Sequence, residues 1–168
     1  MDLTPDQHET RQRVEAYLKL KRSGRQLIGE AGWGTDGYAY TLKPYSVIKA
    51  HYRNKQHTFA NEWLAYRKLR NDGVTGIRGV EVPQLLNVDA DRLPLEISYV
   101  QPPCLLDFSK ARIDQPDFPP EVDQWQEDQI REEFGDVAEE AILINAILIH
   151  RHGIHHNDLR PWNLIFKA

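Results

Sequence analysis

The sequence has almost no cysteine and no long hydrophobic run, and both absences narrow the class of protein. Cys104 is the only cysteine among 168 residues, which excludes an intrachain disulfide and a cysteine-based zinc cluster. The longest apolar run, AILINAILI, covers only residues 141–149, far short of the roughly 20 residues that a membrane-spanning helix requires. The polar N-terminus lacks the apolar core of a secretory signal. We therefore expect a cytoplasmic protein with no membrane span.

Basic and acidic residues are distributed unevenly along the chain, whose formal net charge is -4. Residues 41–80 hold eight Lys and Arg against two Asp and Glu, whereas residues 81–140 hold four against sixteen. A basic patch can bind phosphate groups, but the acidic second half argues against a surface that follows a nucleic-acid backbone. We expect a nucleotide and no nucleic acid as partner. Two solvated faces of opposite charge are the alternative.

The pattern of apolar residues and turn residues predicts an α+β fold. Residues 6–22 carry apolar side chains at helical spacing, and Thr4 provides a cap, so we predict a leader helix. Residues 26–50 are rich in β-forming residues and glycine and predict three strands. A helix over residues 57–73 and two more strands within residues 82–100 follow. These elements predict a five-stranded antiparallel sheet with one helix.

The second half of the chain predicts a partial helical lobe. Two prolines in QPPC, residues 101–104, end the sheet, and the acidic stretch 115–128 is typical of a loop that leads into a helix. Residues 129–152 predict one helix with an acidic first half and an apolar second half. We therefore divide the chain into a leader helix, an N-terminal lobe and a partial helical C-terminal lobe, at residues 1–25, 26–101 and 102–168.

The predicted helix around residues 141–149 is apolar on all sides and has few predicted partners within the chain. An exposed apolar patch of that size favours aggregation unless another surface covers it. We therefore expect a second copy of the chain, as a homodimer, or a partner chain to cover this helix. The alternative is that these residues are a piece of a longer protein.

Three glycines with the spacing G-x-G-x-x-G, Gly32, Gly34 and Gly37, stand in the sequence GWGTDG. In a dinucleotide-binding fold a helix follows this pattern, but here YAYTL follows and predicts a strand, so the glycines belong to a hairpin tip. Because glycine has no side chain, backbone N–H groups there can approach phosphate oxygens closely. An ordinary hairpin turn without a ligand is the alternative.

Lys49 and Glu62 are candidates for an ion pair. Lys49 ends the apolar run SVIK in the third predicted strand, and Glu62 lies among apolar neighbours in the helix that follows. A carboxylate that faces a core is costly unless a cation pairs with it, and the two elements are consecutive. We predict that Glu62 faces inward and pairs with Lys49. The alternative is a surface lysine and an exposed glutamate.

The C-terminal stretch HNDLRPWNLIF, residues 156–166, carries the most specific pattern. Its order of histidine, aspartate, leucine, cation, proline and asparagine resembles the catalytic loop of the protein kinase-like superfamily. The glycine-rich hairpin, SVIK, the helix glutamate and the strand EISYV precede it in that superfamily's order, so the resemblance covers about residues 26–166. It implies a kinase-like N-lobe with a partial helical C-lobe, and a phosphotransferase that uses ATP and magnesium to phosphorylate a hydroxyl acceptor.

The resemblance also implies a role for individual residues. In the C-terminal loop, Asp158 would orient or deprotonate the acceptor hydroxyl, Arg160 would neutralise the γ-phosphate, His156 would organise the loop and Asn163 would bind magnesium. For the phosphates of ATP, the resemblance assigns Lys49, paired with Glu62, and Gly32, Gly34 and Gly37. For the adenine ring it assigns Ala39 and Val47, and for the edge of that ring it assigns the backbone of Tyr99, Val100 and Gln101.

Departures from the family pattern leave the activity and the acceptor open. The family's Asp-Phe-Gly segment, whose aspartate is the principal magnesium ligand, has no counterpart before the sequence ends at Ala168. A catalytically inactive pseudokinase that binds a nucleotide or a protein partner is therefore the alternative function. Asn157 replaces an arginine that reads phosphorylated activation loops in many protein kinases. Arg160 and Trp162 also depart from the commonest serine/threonine kinase pattern. The acceptor, whether protein, sugar, lipid or small molecule, stays undetermined.

A metal cluster is a competing interpretation of the C-terminal histidines, which are His150, His152, His155 and His156, with Asp158 close by. Side chains two residues apart on a helix point in different directions, so His150 and His152 cannot easily share an ion. We therefore favour the phosphotransferase interpretation.

Overall fold

The computed structural model of the chain describes residues 4–21, 24–113 and 119–167. In chain order, its helices and strands are α1 (Pro5–Lys21), β1 (Gln26–Trp33), β2 (Gly37–Lys43), β3 (Ser46–His51), α2 (Gln56–Asn71), β4 (Gly76–Ile77), β5 (Val80–Glu81), β6 (Leu85–Val88), β7 (Pro94–Ser98), β8 (Cys104–Leu105), β9 (Ala111–Ile113), α3 (Pro120–Phe134), α4 (Ala138–His152), β10 (Ile154–His156) and β11 (Leu164–Ile165). Short 3₁₀ turns precede α2 and α4. The chain is therefore an α+β protein, as the sequence predicts.

The chain divides into two compact units. Unit 1 consists of residues 1–63 and 84–99, and unit 2 consists of residues 64–83 and 100–168. α2 begins in unit 1 and belongs to unit 2 from Leu64 onwards. No helix in the described ranges is long and apolar enough to cross a membrane.

Unit 1 is built around a five-stranded sheet. Its strands lie in the order β1-β2-β3-β7-β6, and every neighbouring pair is antiparallel. β1 to β3 form the predicted meander over residues 26–50, and β6 and β7 are the two strands predicted within residues 82–100. The predicted five-stranded antiparallel sheet is therefore confirmed.

The leader helix α1 packs on one face of this sheet and belongs to the core of unit 1. It begins at Pro5, and the Thr4 hydroxyl accepts a 3.2 Å hydrogen bond from the Gln7 N–H, so the predicted cap is present. Val14 and Tyr17 of α1 are fully buried there. They pack with Tyr40, Leu42, Ile48 and Ala50 of β2 and β3. Because side chains alternate along a strand, the odd-numbered residues of β3 point to the opposite face.

Unit 2 combines short strands with two helices. β11, β8, β5 and β4 form a four-stranded sheet, in which β5 and β8 are parallel, and β9 pairs with β10 antiparallel. α4 buries Ala138, Ala141, Ile144 and Leu148, whereas its Leu143 is 45% exposed. α4 therefore has a buried stripe and a partly exposed apolar side. That a second copy or a partner chain covers this side stays a prediction.

The prediction of one helix over residues 129–152 is wrong, because α3 ends at Phe134 and α4 begins at Ala138. Gly135 has φ = 52°, a left-handed conformation that favours glycine, and its N–H bonds to the Arg131 carbonyl oxygen, which ends α3. The predicted loop is also wrong over residues 120–128, which are helical. Proline is compatible with the first helical turn, so Pro120 starts α3 instead of excluding it. Residues 115–118 of that predicted loop lie outside the described residues.

Candidate functional site

An ion pair links β3 to α2 within unit 1. The Lys49 ammonium group contacts the Glu62 carboxylate, whose side chain is only 1% exposed. The Nε2 atom of His51 lies 3.0 Å from the second carboxylate oxygen of Glu62. Lys49 and His51 are two residues apart on one strand and so share one face of the sheet. The predicted pairing of Lys49 with an inward-facing Glu62 is present.

Three residues that the resemblance assigns to ATP share the sheet face opposite α1. Ala39 of β2 pairs directly with Lys49 of β3, and Thr41 pairs with Val47. Paired residues of antiparallel strands point to the same face, so Ala39, Val47 and Lys49 line one surface. All three are half-buried. This surface combines the small apolar side chains of Ala39 and Val47 with the ammonium group of Lys49.

The glycine-rich segment is the hairpin between β1 and β2. A 3.0 Å hydrogen bond from the Gly34 N–H to the Gly37 carbonyl oxygen closes it, and Asp36 at its tip lies 3.2 Å from the Lys55 ammonium group. A Cβ atom at Gly32 or Gly34 would meet nothing within 4 Å. The described fold therefore does not require glycine at these two positions. A ligand that approaches the backbone closely would require it, because glycine has no side chain.

Gly37, by contrast, is required by the fold itself. A Cβ atom there would lie 2.2 Å from the Ala50 carbonyl oxygen of the neighbouring strand, so β3 would have to shift. We expect Gly37→Ala to lower the free energy of unfolding by about 2–4 kcal/mol. Gly32→Ala is the matched control and should change it by less than about 0.5 kcal/mol. Chemical denaturation measures both, and equal stability of the two variants would contradict this close approach of β2 to β3.

The residues assigned to the adenine edge lie where the chain passes from one unit to the other. Tyr99 ends the second segment of unit 1 and is 47% exposed. Val100 and Gln101 begin the second segment of unit 2. The Gln101 N–H makes only a long, 3.4 Å hydrogen bond to the Glu81 carboxylate. Because this bond is weak, the Gln101 N–H can exchange it for another acceptor.

The C-terminal loop of unit 2 is held together by Asn163, which is 3% exposed. Its Nδ2 group donates a 2.6 Å hydrogen bond to the Asp158 carbonyl oxygen, and its Oδ1 atom accepts one of 2.8 Å from the Arg160 N–H. The loop then enters β11, where Leu164 pairs with Leu105 of β8. Asn163 therefore fixes the backbone on both sides of the Asp158–Arg160 segment.

Two cations flank the Asp158 carboxylate. Lys110 Nζ lies 3.1 Å from Oδ2, and Arg160 Nε lies 3.3 Å from Oδ1. Arg160 also forms an ion pair with Glu133 of α3. The two cations orient the Asp158 side chain, which is still 26% exposed and so accessible to a ligand. Arg160 is shared by two carboxylates, which leaves less of its charge for a phosphate.

His156 is a buried residue that contacts the segment before β9 and so orders the C-terminal loop. Its ring is buried, its Nε2 N–H donates to the Asp107 carbonyl oxygen, and its centroid lies 5.4 Å from that of Phe108. Burial lowers the pKa of His156 below its ordinary value, which keeps the imidazole neutral near pH 7. A neutral, buried ring orders the loop and does not present a reactive nitrogen to solvent.

The described residues do not fit a resident magnesium site. They contain no group of three or more His, Cys, Asp or Glu side chains arranged to hold a metal ion. Asn163, to which the resemblance assigns magnesium, uses both ends of its amide inside the loop. His152 lies 2.7 Å from the Asp72 carboxylate instead of sharing an ion with His150. The competing histidine cluster is therefore not assembled among the described residues. The assignment of magnesium to Asn163 stays a prediction, because its Oδ1 atom accepts one hydrogen bond and keeps a second lone pair.

Three side chains at the candidate site were missed from the sequence. His51 could have been found, because alternation along β3 places it on the same face as Lys49. Lys110 and Glu133 carry no such signal, because they contact Asp158 and Arg160 from elements far away along the chain. Their positions depend on how α3 and the segment before β9 pack.

Comparisons with known proteins add no family assignment. No family model matches the chain, and a search of curated proteins finds no significant match. A function therefore has to be argued from the residues described above.

Proposed function

We propose that the protein is an ATP- and magnesium-dependent phosphotransferase of the protein kinase-like superfamily, which transfers the γ-phosphate to a hydroxyl acceptor in the cytoplasm. The observation that carries the proposal is the ion pair between Lys49 and buried Glu62, on the strand and the helix that the resemblance requires. A lysine held in place by a buried carboxylate is suited to binding phosphate groups.

Unit 1 would bind the nucleotide. Lys49 would contact the α- and β-phosphates, while Glu62 fixes the direction of its side chain. The open space that a Cβ atom at Gly32 or Gly34 would occupy would let phosphate oxygens approach the hairpin backbone closely. The half-buried apolar residues beside Lys49 would contact the adenine ring. Magnesium would arrive with the nucleotide, because this ion binds mainly through substrate phosphates and water.

Unit 2 would act on the acceptor. Asp158 would accept a hydrogen bond from the acceptor hydroxyl and take its proton as the oxygen bonds to the γ-phosphorus. The bond between the γ-phosphorus and the ADP oxygen breaks, and ADP leaves. Asn163 would keep the loop in one conformation, and Arg160 would stabilise phosphate charge after exchanging its contact with Glu133.

A nucleotide-binding protein without turnover is the second candidate. It is favoured because no group of three or more His, Cys, Asp or Glu side chains among the described residues is arranged to hold a metal ion. Such a pseudokinase would keep the pair of Lys49 and Glu62 and bind a nucleotide or a protein partner. Formation of ADP, measured in addition to binding of ATP, separates the two candidates.

Calorimetric titration with ATP tests the proposal. We expect the wild-type protein to bind ATP more tightly with magnesium than without it, and Lys49→Met to bind about tenfold more weakly or worse, because a charge-assisted contact is lost. Lys43→Met removes an exposed lysine of the same unit and should bind like the wild type. Unfolding curves of both variants show whether they are folded. Equal ATP affinity of Lys49→Met and wild type, or no binding by the wild type, would contradict the proposal.

A further inference from the structure

His51 is the last residue of β3 and lies at the end of the sheet where β2 leaves the glycine-rich hairpin. It pairs with Gly37 of β2, and its backbone N–H donates a 3.3 Å hydrogen bond to the Leu93 carbonyl oxygen. Its side chain is only 4% exposed. It points to the same face of the sheet as Lys49, two residues earlier. His51 is therefore a buried polar side chain directly beside the ion pair of Lys49 and Glu62.

Lys49 and His51 contact different oxygen atoms of the Glu62 carboxylate. The Lys49 ammonium group contacts Oε1, and His51 Nε2 lies 3.0 Å from Oε2. A carboxylate has only acceptors, so the close contact at Oε2 requires a proton on His51 Nε2. Each oxygen thus faces its own positively polarised group. Rotation of the carboxylate away from Lys49 would also break its contact with His51.

The position of His51 is itself fixed from two sides. On the α1 side, the buried Arg13 guanidinium donates 2.6 Å hydrogen bonds to the carbonyl oxygens of His51 and Arg92. On the α2 side, the Phe59 ring packs edge-on against the imidazole, with 5.5 Å between the ring centroids. The backbone and the ring of His51 are both held, so the contact with Glu62 does not depend on a mobile side chain.

Packing alone does not explain a histidine at this position. Its Nδ1 atom is buried and has no hydrogen-bond partner among the described residues. An unpaired buried polar atom costs free energy, and the ring of a phenylalanine would fill similar space without that cost. The contact of Nε2 with Glu62 is the feature that phenylalanine could not supply.

We propose that His51 is a positioning residue of the nucleotide site, which holds the Glu62 carboxylate in the orientation that faces Lys49. His51 touches neither the nucleotide nor the acceptor and acts through Glu62. The Lys49 ammonium group then keeps one direction, which favours phosphate binding because less side-chain freedom is lost when the ligand binds. The effect on ATP rests on the nucleotide binding proposed above, whereas the effect on Lys49 does not.

Two substitutions of His51 separate its contact with Glu62 from its packing. His51→Phe keeps a planar ring against Phe59 but has no N–H group for the carboxylate. His51→Gln loses the ring, but its side-chain amide can bring an N–H group to the carboxylate and should restore the contact. His8→Phe replaces an exposed histidine of α1 and is the matched control. Unfolding in urea shows which variants are folded.

Competitive labelling of lysine amines with acetic anhydride, followed by mass spectrometry, tests the position of Lys49 without a nucleotide. An amine held in an ion pair reacts slowly, because only its deprotonated form attacks the reagent. Relative to the exposed Lys43, we expect labelling of Lys49 to rise about threefold in His51→Phe and to return towards the wild-type value in His51→Gln. Equal labelling of Lys49 in the wild type and in His51→Phe would overturn the inference.

A measurement on the wild-type protein keeps the inference testable if the His51 variants do not fold. Long-range ¹H–¹⁵N NMR of the imidazole ring should find a proton on Nε2, as the contact with Glu62 requires. A ring that is protonated at Nδ1 alone would overturn the inference, because two acceptors would then face each other.

Calorimetry with ATP and magnesium, together with saturation-transfer NMR with adenosine, tests the consequence for nucleotide binding. We expect His51→Phe to bind ATP about fivefold more weakly than the wild type and adenosine equally well, because Lys49 contacts only phosphates. Equal weakening for both ligands would mean a general structural role and would overturn the positioning role. If the wild type bound neither ligand, the proposed function would fail, and the labelling of Lys49 would decide on His51.

Discussion

Glu62→Ala is expected to lower the free energy of unfolding by about 3 kcal/mol. The substitution removes the carboxylate that both Lys49 and His51 contact, and the His51 side chain is only 4% exposed. Removing one member of a buried ion pair costs roughly 3–5 kcal/mol, because the remaining charge is no longer compensated. The Lys49 side chain is 19% exposed and can reach water, which places the effect at the lower end. Urea denaturation of the wild type and the variant measures the difference.

Glu15→Ala is the matched control for this experiment. Glu15 pairs with Arg11 on the outer surface of α1, where the two side chains are 48% and 46% exposed. Such surface pairs contribute about 0–1 kcal/mol, so this variant should unfold almost like the wild type. Glu62→Gln keeps the shape but loses the charge, and we expect an intermediate loss. If Glu62→Ala and Glu15→Ala were equally stable, the buried pair would have no part in holding β3 to α2.

Asp158→Asn is expected to slow phosphate transfer about 1,000-fold, while the affinity for ATP changes little. Asparagine keeps the size of the side chain and can still accept a hydrogen bond, but it cannot take the proton of the acceptor hydroxyl. The backbone of the loop is held by Asn163 through the Asp158 carbonyl oxygen, which the substitution leaves in place. The loss should therefore fall on the rate of ADP formation. Calorimetry with ATP and a coupled assay for ADP measure the two quantities.

Asp136→Asn provides the control for charge, because Asp136 is an exposed carboxylate of the same unit and lies in the turn between α3 and α4, outside the C-terminal loop. We expect it to form ADP at the wild-type rate. Unchanged turnover in Asp158→Asn would place the base elsewhere. A parallel loss of ATP affinity would mean that Asp158 acts on the nucleotide and not on the acceptor.

The features that the sequence predicted correctly are those with a local signal. The strands β1 to β3 of unit 1 follow from alternating residues and turn residues that lie close together along the chain. They occupy residues 26–51. The pairing of Lys49 and Glu62 followed because a buried carboxylate needs a cation and because its strand and helix are consecutive. Thr4 was identified as a cap from its place before the helix, and it accepts the expected hydrogen bond.

The wrong predictions of secondary structure lie where a single residue, and not the composition around it, determines the local backbone conformation. The apolar and acidic pattern of residues 129–152 is helical throughout, but Gly135 adopts a left-handed conformation and separates α3 from α4. The acidic, proline-containing stretch before it resembled a loop, yet a proline in the first turn does not exclude a helix. Ile130 and Phe134, four residues apart and both buried, give α3 the tertiary packing that its composition does not reveal.

By itself, the sequence determined the α+β class, the strands of the five-stranded sheet and the ion pair. Strands and helices have local patterns, and the ion pair joins two consecutive elements. Only the tertiary structure decided that Asn163 makes two hydrogen bonds inside its loop and that Lys110 and Glu133 contact Asp158 and Arg160. These groups come from separate helices, strands and loops of unit 2. Their distances depend on packing of whole elements, which no spacing in the sequence records.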